Sequence, residues 1–383
     1  MKRLVAKLSV SLGALFVMAM VAEGMLRVMN PFDLDWRMAE HHPVRIETLS
    51  PNFEGSYRGA RVRTNQFGHR VPTSWAKSYT LEKPPGTRRI LVFGDSFTFG
   101  EDWPAEVSFV EQLQQRLDPG GARIQVLNFG VPGYCPLQEL NYIEEEALRF
   151  QPDAVVVQVT DANDFQGMHP LPARSPIQGV KTWLRRHLYL YSVVWDVWFH
   201  GRDSALAKAW VRWAHAPSRT PAPEAAFAAS LSPRPSNPQL LANLRRGARA
   251  YYQQLQAQVE QETPGWRQAS ESYQEMGSLF AEHRVPFIIM VATPLWDLEC
   301  AAWNCQSVTL RYHEVAEEGQ AFYRQLADRL GRFTPHYLSL ERAFGPYTLE
   351  QLCDGKKGHY GPKKNAIVAA QLTSLLKKDV LND

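Results

Sequence analysis

The stretch RRILVFGDSFTFGEDW, residues 88–103, decides the fold. Its first six residues end in four apolar side chains, which is typical of a β-strand buried on both faces. The apolar run stops at Gly94, and Asp95 and Ser96 follow at once. Active sites of open parallel sheets lie at the carboxyl ends of the strands. Ser96 is therefore either a nucleophile at a strand end or a polar residue that caps the next helix.

Four further segments repeat this pattern of short apolar runs. They are RIQVLNF (123–129), PDAVVVQVT (152–160), VPFIIMVAT (285–293) and HYLSLERAF (336–344). Apolar residues spaced three and four apart predict helices between and after them, over 105–117, 136–150, 268–283, 308–330 and 362–378. Alternating strands and helices predict an α/β fold, with a parallel sheet covered on both faces.

The N-terminus has the layout of a secretory signal or a signal anchor. Lys2, Arg3 and Lys7 precede an uncharged run over residues 8–22, and extension to Leu26 makes the run long enough to span a bilayer. Cleavage after Ala19 stays open, but we favour an uncleaved anchor within residues 1–30. The basic flank would remain in the cytoplasm. The rest of the chain would then lie in a bacterial periplasm, or be secreted if the signal is cleaved.

Two segments depart from the regular alternation. Residues 31–87 are rich in Arg, Pro and aromatic side chains without clear periodicity, and they read as an irregular N-terminal arm. Residues 165–265 contain an aromatic and basic stretch and then a Pro/Ala/Ser-rich loop, which indicates an insertion. Its aromatic residues favour packing over ligand binding, with a lid or a membrane-facing surface as the alternative. The core domain would comprise residues 88–164 and 266–383.

Charge excludes one class of partner. Lys+Arg 42 against Asp+Glu 39 gives a net charge of +3, which is too balanced for a protein that binds nucleic acid through phosphate contacts.

The four cysteines are an even number in a chain bound for an oxidising compartment, and they allow three pairings. Buried free thiols are the alternative.

Three more polar segments follow predicted strands or precede the last helix. They are NFGVPGY (128–134), TDANDF (160–165) and LCDGKKGHYGPKKN (352–365). Acyl transfer by a serine requires a base, usually His, an acid that orients the His, and donors for the oxyanion. Ser96, His359 and Asp354 can supply the first set. Gly133, Asn163 and the N–H of Ser96 can supply the second.

Together the four blocks resemble those of the SGNH, or GDSL-type, hydrolase family, in the same order. RTNQFGHR (63–70) and the N-terminal apolar segment are similar to a membrane-anchored bacterial branch of that family. The resemblance implies a flavodoxin-like α/β/α sandwich that hydrolyses or transfers acyl esters. It implies Ser96 as nucleophile, His359 as base, Asp354 as acid, and an oxyanion hole from Ser96, Gly133 and Asn163.

The sequence departs from the family pattern in two places. Asp354 and His359 are five residues apart, where the family has two or three, and Asp161 and Ala162 stand where it favours a glycine before the asparagine. An α/β-hydrolase with G-x-S-x-G is disfavoured because Thr98 occupies the second glycine position.

We expect an extracytoplasmic esterase for acyl esters, such as O-acetyl groups of cell-envelope carbohydrate. An O-acyltransferase with the same mechanism and a non-catalytic polysaccharide-binding scaffold are the alternatives. No cofactor is expected, and no metal, because His41 and His42 lack metal-ligand spacing. We further hypothesise disulfides Cys135–Cys353 and Cys300–Cys305.

Overall fold

The computed structural model describes residues 2–29, 36–73, 79–165, 238–292, 317–352 and 359–381, with single positions between 180 and 194. In chain order its labelled elements are α1 Lys2–Met29, β1 Ala39–His42, β2 Ile46–Leu49, β3 Glu54–Tyr57, β4 Ala60–Thr64, β5 Arg70–Val71, β6 Arg88–Gly94, α2 Ser96–Phe99, α3 Phe109–Leu117, β7 Ile124–Gly130, α4 Pro136–Glu146, β8 Ala154–Thr160, α5 Asp161–Asp164, α6 Pro238–Glu260, α7 Pro264–Glu282, β9 Phe287–Ala292, α8 Gln320–Leu330, β10 His336–Ser339, α9 Glu341–Phe344, α10 Leu349–Leu352 and α11 Pro362–Asp379. Short 3-10 turns precede α3 and α8 and follow α4.

A five-stranded sheet forms the centre of the molecule. Its order is β10-β9-β8-β6-β7, and every neighbouring pair is parallel. Counted within this sheet alone, the order is 2-1-3-4-5, the flavodoxin-like arrangement. Every residue of β8 and β9 is buried, as expected of strands covered on both faces. The predicted α/β fold with a parallel sheet is confirmed.

Helices cover both faces of the sheet. The chain moves outward from β6 through α3 to β7, and back through α4 to β8, so right-handed crossovers place α3 and α4 on opposite faces. α11 packs on α3, and α7 packs on α4. The helix starts are the ones their sequences favour. Ser108 caps α3 through the N–H of Glu111, and Thr263 caps α7 ahead of Pro264.

The predicted arm is more ordered than its sequence indicated. The described part forms an antiparallel pair, β1-β2, and a three-stranded antiparallel sheet, β3-β4-β5. In β4 the buried Ala60 and Val62 flank the exposed Arg61, but such alternation over five residues is too short to predict a strand alone. Val62 and Phe53 join the hydrophobic core, so this segment packs on the rest of the molecule.

Two further elements differ from the sequence-based expectation. The stretch 336–344 is not one strand, because β10 ends at Ser339 and α9 follows. Part of the predicted insertion belongs to the core, since α6 buries Tyr252, Leu255 and Val259. Of the predicted helix 308–330, residues 308–316 lie outside the described residues, and α8 begins at Gln320.

The N-terminal helix has the composition of a membrane-spanning segment. Residues Ser9–Met29 have a mean hydropathy of 1.8, and apolar side chains such as Leu12, Phe16 and Met20 are exposed along α1. A helix of this length and composition can cross a membrane, and a signal sequence has the same properties.

Candidate active site

Ser96 is the first residue of α2, directly after β6. Asp95 caps the helix by accepting a hydrogen bond of 2.9 Å from the N–H of Phe97. β7 ends against this turn at Gly130, where a Cβ would lie 2.3 Å from the backbone nitrogen of Phe99. Only glycine allows that approach. Ser96 is consequently held half-buried at the carboxyl edge of the sheet.

His359 meets Ser96 from the last segment of the chain. Its Nε2 lies 2.8 Å from the Ser96 Oγ, and its ring packs edge-on against Phe97. Asn365 secures this segment, because its Oδ1 accepts from the N–H of Phe109 and its Nδ2 donates to the carbonyls of Tyr360 and Gly361. The imidazole is therefore fixed next to the serine hydroxyl.

The carboxylate on the other ring nitrogen belongs to Asp102. Its Oδ2 lies 2.7 Å from the His359 Nδ1. In the tautomer that satisfies both contacts, Nδ1–H donates to Asp102 and Nε2 accepts from the Ser96 hydroxyl. Asp354, the acid implied by the family resemblance, lies outside the described residues. Asp102 was not identified from the sequence, although it follows Ser96 by only six positions.

Asp102 sits in a sharp turn that other residues hold in place. Its φ is 68°, the left-handed region that Asp tolerates better than most L-residues. The buried Arg70 donates to the carbonyls of Phe99 (2.7 Å), Gly100 (2.5 Å) and Trp103 (2.5 Å) on either side of it. Burial lowers the pKa of Arg70 to about 10, and nearby acids, Glu101 first, oppose the decrease. The arginine therefore stays charged at neutral pH. Through the three hydrogen bonds of Arg70, the segment RTNQFGHR (63–70) holds the turn that carries Asp102.

The remaining predicted site residues lie at the same edge of the sheet. Gly133 has a φ of 79°, and a Cβ there would meet no atom within 4 Å, so its backbone faces open space. The Asn163 amide donates to the Tyr134 carbonyl at 3.0 Å and approaches the Asp95 Oδ2 at 3.5 Å. Asn163 thus bridges the segments that carry Ser96 and Gly133. The structure leaves their roles as oxyanion donors a prediction.

The two acids beside Asn163 have structural contacts. Asp161 accepts from the hydroxyls of Tyr251 (3.0 Å) and Tyr323 (2.9 Å). Asp164 accepts from the Tyr273 hydroxyl at 2.7 Å and from the N–H of Thr160 at 2.9 Å. These bonds fix the turn after β8.

Cys135 differs from the expectation of a disulfide. It is a buried free thiol at the start of α4, and burial raises its pKa to about 11. The predicted Cys135–Cys353 bond is therefore not formed in this structure, because the thiol is enclosed by the packing of α4. Cys353, Cys300 and Cys305 lie outside the described residues, so the second bond stays a prediction.

No family profile matches the chain, and no curated protein matches it. Among solved structures it is similar to a putative lipolytic protein of the G-D-S-L family from Desulfitobacterium hafniense DCB-2, with 11% identity, 76% of this chain and 100% of that chain covered, and a TM-score of 0.32. A lipase/acylhydrolase from Enterococcus faecalis shares 14% identity over 76% of this chain and 96% of its own, with a TM-score of 0.33.

An acetyl xylan esterase from Geobacillus stearothermophilus shares 13% identity over 78% of this chain and 99% of its own, with a TM-score of 0.31. At such scores these similarities carry no argument about the function of this chain. The functional conclusion depends on its own site geometry.

Proposed function

We propose that the chain is a serine esterase of the SGNH type, which cleaves acyl esters through a Ser96–His359–Asp102 triad. The observation that carries the proposal is the continuous pair of contacts, 2.8 Å from Ser96 Oγ to His359 Nε2 and 2.7 Å from His359 Nδ1 to Asp102 Oδ2. Nucleophile, base and orienting acid within hydrogen-bond reach of one another are what nucleophilic acyl transfer requires.

In the proposed reaction, Ser96 Oγ attacks the ester carbonyl while His359 Nε2 takes its proton. Asp102 holds the imidazole in the productive tautomer and stabilises the imidazolium. His359 then gives the proton to the leaving alcohol oxygen, which departs from the acyl-enzyme. Water, activated by the same histidine, releases the acyl group.

The tetrahedral oxyanion needs donors on the opposite side of the carbonyl. We assign them to the N–H groups of Ser96 and Gly133 and to the Asn163 amide. The bond from Asn163 Nδ2 to the Tyr134 carbonyl supports this, because it fixes the amide next to Gly133, while the contact with Asp95 at 3.5 Å is long enough for an oxyanion to displace it. Each preorganised donor of this kind is commonly worth about 3 kcal/mol of transition-state stabilisation.

The location and substrate are inferred from the N-terminal helix. An uncleaved anchor over α1 would hold the catalytic domain at the outer face of a bacterial inner membrane. Ester groups on cell-envelope carbohydrate, O-acetyl groups in particular, would then be within reach. Protease protection of intact spheroplasts tests this: the domain should be digested without lysis, and protection until lysis would contradict the proposed location.

Hydrolysis of p-nitrophenyl acetate tests the proposed activity. The wild type should turn it over, Ser96→Ala should lose activity by a factor on the order of 10³ or more, and Ser278→Ala on the exposed face of α7 should not change. Equal rates for wild type and Ser96→Ala would contradict the proposal, and a wild type without turnover would favour the scaffold alternative. Acyl transfer to an added sugar that outruns hydrolysis would identify the enzyme as an O-acyltransferase.

A further inference from the structure

A second carboxylate lies beside the catalytic histidine. Glu101 Oε2 is 3.8 Å from His359 Nε2, the nitrogen that also contacts Ser96. Both side chains are almost fully buried, with 5% and 6% exposure. The Glu101 backbone N–H donates to the Ser96 carbonyl at 3.0 Å, which ties its position to the nucleophile. Asp102 already occupies Nδ1, so Glu101 is an addition to the triad rather than a substitute for its acid.

Arg58 holds the other oxygen of this carboxylate. Its guanidinium forms an ion pair with Glu101 Oε1 from the turn between β3 and β4. In that two-residue turn Arg58 has a φ of 51° and Gly59 a φ of 78°. Turns with positive φ at both positions strongly favour Asn-Gly or Asp-Gly, so arginine is an unusual occupant of the first. The turn places the arginine head group against an acid next to the active site.

The charge of this pair acts on the proton that moves during catalysis. When the Ser96 Oγ–H bond breaks and Oγ bonds to the carbonyl carbon, the proton passes to Nε2 and His359 becomes a cation. A negative charge at 3.8 Å in a buried site favours that cation, since little water separates the two. A positive charge on the far side of the same carboxylate weakens the effect.

We propose that Glu101 and Arg58 are positioning residues that together set the proton affinity of His359. Glu101 raises it, and Arg58 limits the increase. The proposal deepens the proposed function and rests on it for its catalytic meaning. The other groups known to face His359 include Asp102, Ser96, the Phe97 ring and, at longer range, the Asp95 carboxyl. Substitution of Glu101 or Arg58 leaves all four in place.

The proton affinity of His359 can be read directly by NMR titration of its imidazole in the full-length protein, with the signal assigned by His359→Gln. Glu101→Gln should lower the titration midpoint by about one pH unit, and Arg58→Gln should raise it by about half a unit. The double variant should titrate between the two single variants, because the two charges act on the imidazolium in opposite directions.

A matched control is present on the same hairpin. Arg61 of β4 forms an ion pair with Glu54 of β3 at the surface, so Arg61→Gln changes the net charge equally without touching Glu101. The titration midpoint of His359 in Arg61→Gln should equal that in the wild type. Arg58→Lys keeps the positive charge and should stay close to the wild type, which also shows that the turn still folds.

Two results would overturn the proposal: no movement of the midpoint in either single variant, or movement of both midpoints in the same direction. The acid limb of the pH profile of kcat/KM should move in parallel with the midpoints. If the wild type hydrolyses no ester, the proposed function fails while the titration still decides this proposal. If esters are hydrolysed and the midpoints stay fixed, this proposal alone fails.

Discussion

At the scale of single residues, Glu139 is a buried acid close to the site. It is 1% exposed on α4, and neither carboxylate oxygen has a hydrogen-bond partner among the described residues. Burial, and then the negative charges of Asp164 and Asp95, raise the pKa of Glu139 well above its usual value. The folded protein therefore keeps this carboxyl protonated at pH values where the unfolded chain has lost the proton.

Glu139→Gln should make the protein relatively more stable as the pH rises. The wild-type carboxyl stabilises the fold fully below its unfolded pKa of about 4.3, and this contribution is lost as the pH rises towards the raised pKa, by up to about 1.4 kcal/mol per pH unit. Glutamine has the same shape and no proton to lose. Urea unfolding at pH 5, 7 and 9 measures the difference between variant and wild type.

Glu144→Gln, at an exposed position of the same helix, serves as control, and its difference from the wild type should change less with pH than that of Glu139→Gln. A Glu139→Gln difference that is constant from pH 5 to pH 9 would contradict the assignment of a protonated Glu139.

At the scale of elements, Arg70 of β5 holds the turn after α2 in place through hydrogen bonds to its carbonyls. Arg70→Lys keeps a charge but cannot reach all three carbonyls that the guanidinium contacts. The turn that carries Asp102 should loosen, and kcat should fall by roughly 10–100-fold with a smaller change in KM, because displacement by about 1 Å has that effect. Arg61→Lys on β4 is the matched control. Steady-state kinetics that show a changed KM and an unchanged kcat would contradict a positioning role.

The C-terminal part of α1 holds a segment of the predicted insertion. Glu23 accepts from the N–H groups of Tyr189 (2.9 Å) and Leu190 (2.7 Å), and Arg27, which is bonded to Glu23, donates to the His187 carbonyl. These hydrogen bonds fix the segment that carries Tyr189 and Leu190 against the C-terminal part of α1.

Glu23→Ala should release this segment. Amide exchange at Tyr189 and Leu190, measured in detergent micelles, should become at least about fivefold faster, as expected for loss of roughly 1 kcal/mol or more of hydrogen-bond energy. Met25→Ala, at an exposed position of the same helix, should leave the exchange rates unchanged. Equal exchange in the wild type and Glu23→Ala would contradict the contact.

Strands with a clear apolar pattern can be predicted from the sequence, and strands without one cannot. The strands β6 to β9 are mostly apolar runs, and their observed ends lie within two residues of the predicted ones. The strands β1 to β5 have two to five residues each and are stabilised by contacts with the core, so no local pattern marks them. Of the candidate site, the sequence predicts Ser96 and His359, because their neighbours form motifs.

Asp102 escaped prediction because its role depends on tertiary structure. The family pattern directs attention to an acid beside the histidine, whereas Asp102 follows the serine and reaches His359 only through a left-handed turn held by Arg70. Two signals were present in the sequence. They are the acidic pair that directly follows Gly100 and the arginine that ends RTNQFGHR.

At the scale of the whole molecule, one edge of the sheet gathers all the proposed catalytic groups. Ser96 and Asp102 follow β6, Gly133 follows β7, Asn163 follows β8, and His359 precedes α11. Parallel strands make this possible, since their carboxyl ends open on the same rim. The antiparallel β3-β4-β5 sheet adds Arg58 and Arg70 from outside the parallel sheet.

The rate at which a fluorophosphonate labels Ser96 tests the central claim most directly. The wild type should carry the label on Ser96 in peptide mass spectra, and Ser96→Ala should carry none. Asp102→Asn should slow labelling by a factor on the order of 10³ or more, whereas Asp354→Asn should stay within about threefold of the wild type. Rapid labelling of Asp102→Asn together with loss of labelling in Asp354→Asn would contradict the Ser96–His359–Asp102 triad.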